Sequence, residues 1–258
     1  MNPLGTPASP VTLRTALPLH LPGGKSGALL LHGFTGTPRD LEELGARLNA
    51  AGLTVAVPRL PGHGTNGGDF LRTGWRDWVR ESVDSYADLS ARCGTVHLVG
   101  FSMGGLLAIL LASRFPVGRL VLLAPAVRAS NPLLPLSPFL RLFIRRAPWP
   151  VTAPQKVVDE DVAALSREYW RWRYPAQAAS LRRLQVKARR ALPRVTADTL
   201  TLIGGADPTV PFSVIPFIEG RIASATKLHT VFPESGHLLL AGEDGKKACA
   251  EVVDWLVG

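Results

Sequence analysis

Gly100-Phe101-Ser102-Met103-Gly104-Gly105 lies between the apolar run Val96-His97-Leu98-Val99 and the apolar stretch Met103 to Phe115. The first run reads as a strand and the second as a helix, so the segment between them is a strand-turn-helix junction. A single serine stands in it at G-x-S-x-G spacing. That spacing holds the serine on a tight turn, with glycine where a Cβ would collide. The Ser102 hydroxyl then stands at the carboxyl edge of a sheet, beside a helix N-terminus that favours developing negative charge.

Outward from this junction, short apolar runs bounded by Gly and Pro alternate with helical stretches, the pattern of βαβ units and a parallel sheet. Strands are expected at 28–31, 54–57, 96–99, 120–123, 200–203 and 228–232, and the alternating stretch Val11 to Leu21 adds an N-terminal hairpin or strand. Leu120-Val121-Leu122-Leu123 is apolar on both faces, as a central strand covered on each side must be. Thr37-Pro38-Arg39-Asp40 supplies an N-cap, a Pro at N1 and an acid at N3 for a helix that Gly52 closes. Further helices are expected at 75–89, 103–115 and 248–257. From Ser130 to about Arg194 the alternation stops, and a Pro-, Leu- and Phe-rich stretch leads into Arg- and Trp-rich helical sequence. The expected class is α/β, a mostly parallel central sheet with helices on both faces. The division is a core at 1–127, an insertion at 128–195 and the rest of the core at 196–258.

Composition excludes several classes. Hydrophobic residues make up 46% of the 258 and charged residues 19%, which supplies a sizeable core and rules out disorder for most of the chain. The longest nearly apolar run, Leu106 to Ala112, is far short of the roughly 18 to 20 residues that span a bilayer. The start, Met1 to Pro7, has no cationic stretch followed by an apolar one, so the cytoplasm is the expected location. Cys93 and Cys249 are too few for a disulfide framework or a thiolate cluster. The net charge of +9 is local: residues 128–194 carry 14 Lys/Arg and 4 Asp/Glu, leaving 15 and 16 elsewhere. No nucleic-acid reading motif accompanies that charge, so nucleic acid is not an expected partner.

A serine hydroxyl needs a base, and the base needs an orienting group. Of six histidines, His97 and His229 fall within strands and His20 lies in the N-terminal segment. His237, in Glu234-Ser235-Gly236-His237, follows the last strand and emerges at the carboxyl edge. Asp207 follows the strand at 200–203 and opens at the same edge, whereas Asp198 precedes that strand and sits at the other end. Ser102, Asp207 and His237 are therefore the expected catalytic residues. The oxyanion donors are expected to be the backbone N–H of Met103 and, from the loop His32-Gly33-Phe34-Thr35-Gly36, that of Phe34. The Phe34 and Met103 side chains are expected to floor the acyl pocket.

His32-Gly33-Phe34-Thr35-Gly36, Pro61-Gly62-His63-Gly64, Gly100 to Gly105, Gly205-Ala206-Asp207 and Ser235-Gly236-His237 together resemble the α/β-hydrolase superfamily. Within it they are most similar to bacterial carboxylesterases and monoacylglycerol lipases. The resemblance covers residues 27–127 and 196–258. It implies the nucleophile-acid-base order Ser102, Asp207, His237 and a substrate-binding role for His63, for which a plain turn histidine is the other reading. It also places 128–195 as a cap after the sixth core strand, although the Arg content of this cap departs from the usual pattern.

The implied activity is serine carboxylic-ester hydrolysis through an acyl-enzyme, on small acyl esters with an apolar acid part, monoacylglycerols among them, with no metal and no cofactor. Thioesterase, amidase and carbon–carbon bond hydrolase chemistry use the same three residues. A catalytically silent binding protein is the remaining alternative. Trp149, Trp170 and Trp172 stand among the cap's arginines, a composition suited to weak contact with a membrane surface or to a solvated basic face. Oligomeric state is not legible.

Overall fold

Leu29, Leu30 and Leu31 are consecutive and all fully buried, which requires that both faces of their strand be covered. A computed structural model, which describes residues 12–149 and 159–258, shows how. Seven strands form the sheet: β1 (Leu19–Leu21), β2 (Ser26–Leu31), β3 (Thr54–Val57), β4 (Thr95–Phe101), β5 (Arg119–Leu123), β8 (Asp198–Gly204) and β9 (Lys227–Phe232). Their order is β1-β3-β2-β4-β5-β8-β9. Only β1 pairs antiparallel, with β3. Between β5 and β8 a separate two-residue ladder joins β6 (Ala147–Pro148) and β7 (Trp172–Arg173).

Helices cover the sheet on both sides. Alternate side chains of one strand feed different cores, Ala28 and Leu30 into one, Leu29 and Leu31 into the other. The first core is closed by α1 (Glu42–Ala50) and α9 (Gly242–Val257) through Leu44, Leu48, Cys249 and Val252. The second is closed by α3 (Trp75–Ser90), α4 (Met103–Ala112) and α8 (Val214–Glu219), with Phe70 of the short α2 (Gly67–Phe70). Every residue of α4 is buried, so this helix has no solvent face. Removing any one of the fully buried leucines is a large-to-small core change, costing about 2–5 kcal/mol.

The six strands expected in the core all form, that at 54–57 with the expected bounds and the other five extended by one to three residues. Val11 lies outside the described residues; the rest of that stretch gives a turn at Arg14–Ala16 and then β1. α9 starts at Gly242 rather than 248, because its first turn carries no apolar residue to reveal the period. Among the described residues the chain leaves the sheet after its fifth strand, β5. This insertion contains α5 (Ser137–Leu140), α6 (Glu160–Leu165) and α7 (Pro175–Ala191). It is not set apart from the core: Leu184 and Ala188 of α7 join the same buried cluster as Leu106 and Leu107 of α4.

Candidate active site

β4 ends at Phe101 and α4 starts at Met103, so Ser102 must turn the chain alone. It does so at φ 53°, ψ −110°, a left-handed conformation that non-glycine residues adopt only when neighbours impose it. Those neighbours are visible. The Ser102 N–H donates to the Leu123 carbonyl (2.8 Å), and the Ser102 carbonyl accepts from Ala126 N–H (3.0 Å). A Cβ on Gly104 would overlap the Leu31 carbonyl, and one on Gly100 the Gly104 carbonyl. The strain and both glycines thus belong to one close approach of strand and helix.

His237 and Asp207 come from the loops after β9 and β8. The two loops are stitched together: Gly205 N–H donates to Phe232 O (2.8 Å) and Ala206 N–H to Ser235 O (3.1 Å). His237 Nε2 lies 3.0 Å from Ser102 Oγ, and its Nδ1 lies 2.7 Å from Asp207 Oδ2. The other carboxylate oxygen, Oδ1, accepts from the N–H groups of Thr209 (2.7 Å) and Val210 (3.0 Å). Burial pushes the Asp207 carboxyl up. The bonds from His237 and Val210 outweigh it and hold the group below the usual carboxylate range. A carboxylate acceptor fixes Nδ1 as the protonated ring nitrogen, leaving Nε2 as a lone pair toward Ser102. Ser102 is itself largely buried, at 7% exposure.

The loop from β2 is held from below. His32 Nδ1–H donates to Gly33 O (3.0 Å) and His32 Nε2 accepts from Leu60 N–H (3.1 Å), which ties this loop to the one after β3. Thr35 adopts a left-handed φ of 59°, and its carbonyl accepts from the Trp170 indole of the insertion (3.4 Å). Among the described residues no acceptor takes the N–H of Phe34 or of Met103.

A cavity of about 390 Å³ lies under the insertion. Phe34 and Thr209, from the two site loops, are among its lining residues, whereas Ser102, Asp207 and His237 are not. Tyr169, Trp170, Trp172, Leu133, Leu140 and Leu181 form much of the rest, and the lining is mostly apolar. Two expected substrate-binding side chains, those of Met103 and His63, do not line this cavity. Met103, the first residue of α4, is fully buried and belongs to the core cluster that α4 closes. His63 is fully buried, edge-on to Phe70 and Trp78, with Nδ1–H donating to Pro61 O (3.1 Å). Burial pushes the His63 ring down to about 4 and the His32 ring to about 3, so both are neutral. His97 is buried in β4, while His229 and His20 pair with Glu219 and Arg92 away from Ser102. Among the described residues no group of three His, Cys, Asp or Glu could hold a metal.

Of the insertion residues around the cavity, Leu133, Leu134, Ser137 and Leu140 belong to the Pro132 to Ile144 stretch, whose sequence suits a lid or an acyl-chain guide; Tyr169, Trp170 and Trp172 were not singled out as lining. Trp170 and Trp172, expected at an outer boundary, instead line the interior space. Their signal was the aromatic density of the insertion, which does not reveal which way a ring points.

Comparisons with known proteins agree with this geometry. A sequence model of the Alpha/beta hydrolase family matches residues 28–252. The chain is 44% identical over 104 residues to a thermostable monoacylglycerol lipase from Bacillus sp. (strain H-257), covering 40% of this chain and 42% of that one. It is 34% identical over 108 residues to a carboxylesterase from Bacillus subtilis (strain 168), covering 42% and 44%. Each match thus spans less than half of the relative's own length. Over nearly the whole fold, the chain superimposes on a solved structure from work on two metagenome-derived lipolytic enzymes, LipS and LipT. The TM-score is 0.84 at 25% identity, over 95% of this chain and 98% of the other.

Proposed function

This chain belongs to the alpha/beta hydrolase family, and we propose that it hydrolyses carboxylic esters through a serine acyl-enzyme. The observation that carries the reading is the relay from Ser102 Oγ through His237 to Asp207, at 3.0 and 2.7 Å. His237 Nε2 takes the Ser102 proton as Oγ attacks the ester carbonyl. Asp207 holds the ring in the required tautomer and stabilises the imidazolium. The N–H groups of Phe34 and Met103 receive the oxyanion, and neither has to give up another acceptor to do so. His237 then returns the proton to the departing alcohol. Water repeats the attack on the acyl-enzyme, with His237 again as base, and releases the acid.

The substrate class follows from the cavity. Its mostly apolar and aromatic lining includes Phe34, whose N–H is the proposed oxyanion donor, and Thr209, whose N–H donates to Asp207, and so offers a place for the acid part of an ester. Monoacylglycerols and other small esters with an apolar acyl chain fit that shape, and relatives named monoacylglycerol lipase and carboxylesterase support the choice. The segment at 128–195 acts as the cap that closes this cavity.

The test is a series of p-nitrophenyl esters of increasing acyl length beside a monoacylglycerol. Turnover that rises from acetate to a medium chain is expected. Absence of turnover on every ester, with the protein folded, contradicts the reading.

A further inference from the structure

The cap's positive charge is not balanced by its own acids, with 14 Lys/Arg against 4 Asp/Glu across 128–194. Three of its four acids are already engaged by the core: Asp159 with Arg39, Asp161 with the Thr15 N–H and Glu168 with the Gly67 N–H. Among the described residues, no Lys or Arg of 128–194 forms an ion pair with a carboxylate. Several instead stack on rings, Arg146 over Trp172 at 4.2 Å and Arg173 over Trp149 at 3.7 Å.

Exposed apolar side chains share this surface. Of eleven large hydrophobic residues exposed among those described, six fall within 133–149: Leu133, Leu136, Phe139, Leu142, Phe143 and Trp149. Phe139, Leu142 and Phe143 are 73%, 67% and 84% exposed, and Arg141, Arg145 and Arg146 beside them are exposed too. A patch of this kind marks an interaction surface rather than ordinary scatter. Cations and protruding apolar side chains interleaved on one short segment match a phase that is anionic at its surface and hydrocarbon beneath.

We propose that this face of the cap docks on an anionic phospholipid bilayer. Phe139, Leu142 and Phe143 enter the boundary between headgroups and acyl chains, and the arginines lie along the phosphates with their stems in the same boundary. A nucleic acid would neutralise the arginines equally well but offers Leu142 no apolar phase. Leu133, Leu134 and Leu140 line the cavity, and Leu136 and Phe139 between them lie on the docking face. One short segment therefore joins the bilayer to the cavity. The proposal concerns attachment, which is read by partition rather than by turnover, so it stands or falls apart from the esterase reading.

The test is co-sedimentation of the full chain with vesicles of phosphatidylcholine, alone or with about 30% phosphatidylserine, at about 0.05 M and about 0.5 M salt. Binding to the anionic vesicles at low salt, weak binding to the neutral ones and release by salt are expected. Arg141→Gln with Arg145→Gln should weaken partition about 30-fold, at about fivefold for each cation near an anionic surface. Phe139→Ser with Phe143→Ser should weaken it further than screening alone does. All four side chains are exposed and outside the catalytic residues, so an unchanged circular dichroism spectrum and thermal midpoint report that each variant is folded. Equal binding to both vesicle types, insensitivity to salt, or wild-type partition by either folded double variant overturns the proposal. So does tighter binding to a duplex oligonucleotide than to anionic vesicles at the same salt. Should a variant fail to fold, the lipid and salt comparisons on the wild-type chain decide alone.

Discussion

The ring Nε2 of His32 accepts the backbone N–H of Leu60 at 3.1 Å, so a buried neutral imidazole fixes the loop that carries Phe34. Protonation of that nitrogen would remove the acceptor and place a charge in the core. His63, whose ring centroid is 5.1 Å away, is buried and neutral as well.

Stability is therefore expected to fall with acidification. The two rings have folded pKa values of about 3 and about 4, against 6.5 for a free histidine. Between those values the unfolded chain binds protons that the folded one does not, so stability is full above pH 6.5 and declines as the pH is lowered. At about 1.4 kcal/mol per unit and ring, the loss from pH 6.5 to 5 is at most about 4 kcal/mol. Denaturation midpoints measured across that range check the direction. Ring resonances that stay neutral in the folded state at pH 5 check the cause.

Asp207→Asn is expected to fold and to lose about four orders of magnitude in kcat with little change in KM, because an amide no longer enforces the tautomer that presents Nε2 to Ser102. Steady-state kinetics on one p-nitrophenyl ester measure this. A loss of tenfold or less would mean that the carboxylate only supports the loop through the Thr209 and Val210 N–H groups.

Ala178 lines the cavity on α7, and Phe in its place fills the space toward Leu181. Medium-chain esters should lose at least tenfold in kcat/KM while acetate changes little, since an acetyl group stays near Phe34. A uniform loss across chain lengths would place the acyl group elsewhere.

Tyr169 joins cap to core: its hydroxyl donates to Gly62 O (3.0 Å) and accepts from Thr65 N–H (2.9 Å). Tyr169→Phe leaves both groups buried without that partner, at a cost of about 1–3 kcal/mol. Urea unfolding measures the loss, and faster proteolysis within the cap should accompany it.

The core was legible because its signals are local. Leu120 to Leu123 can only be a doubly covered strand, and the Gly100 to Gly105 junction declares its own turn. That Ser102, Asp207 and His237 would meet at one edge was legible from position, each being the chemically apt residue just past the carboxyl end of a strand. What escaped depends on tertiary packing. Pro132, Pro135 and Pro138 interrupt any period in the cap, so the side chains that line the cavity could not be sorted from those that face solvent. Nothing local distinguishes Met103, which is fully buried in the core, from Phe34, which lines the cavity. His63 sits in a motif that suggests contact with substrate. Its neighbours Phe70 and Trp78 close over it, and only the fold brings them there.

The central claim is that Ser102 is the nucleophile, made reactive by His237. Treatment with a fluorophosphonate probe followed by peptide mass analysis tests it most directly. A single adduct on Ser102 is expected, absent in Ser102→Ala and strongly slowed in His237→Ala. An adduct on another residue, or labelling of Ser102 at an unchanged rate in His237→Ala, would contradict it.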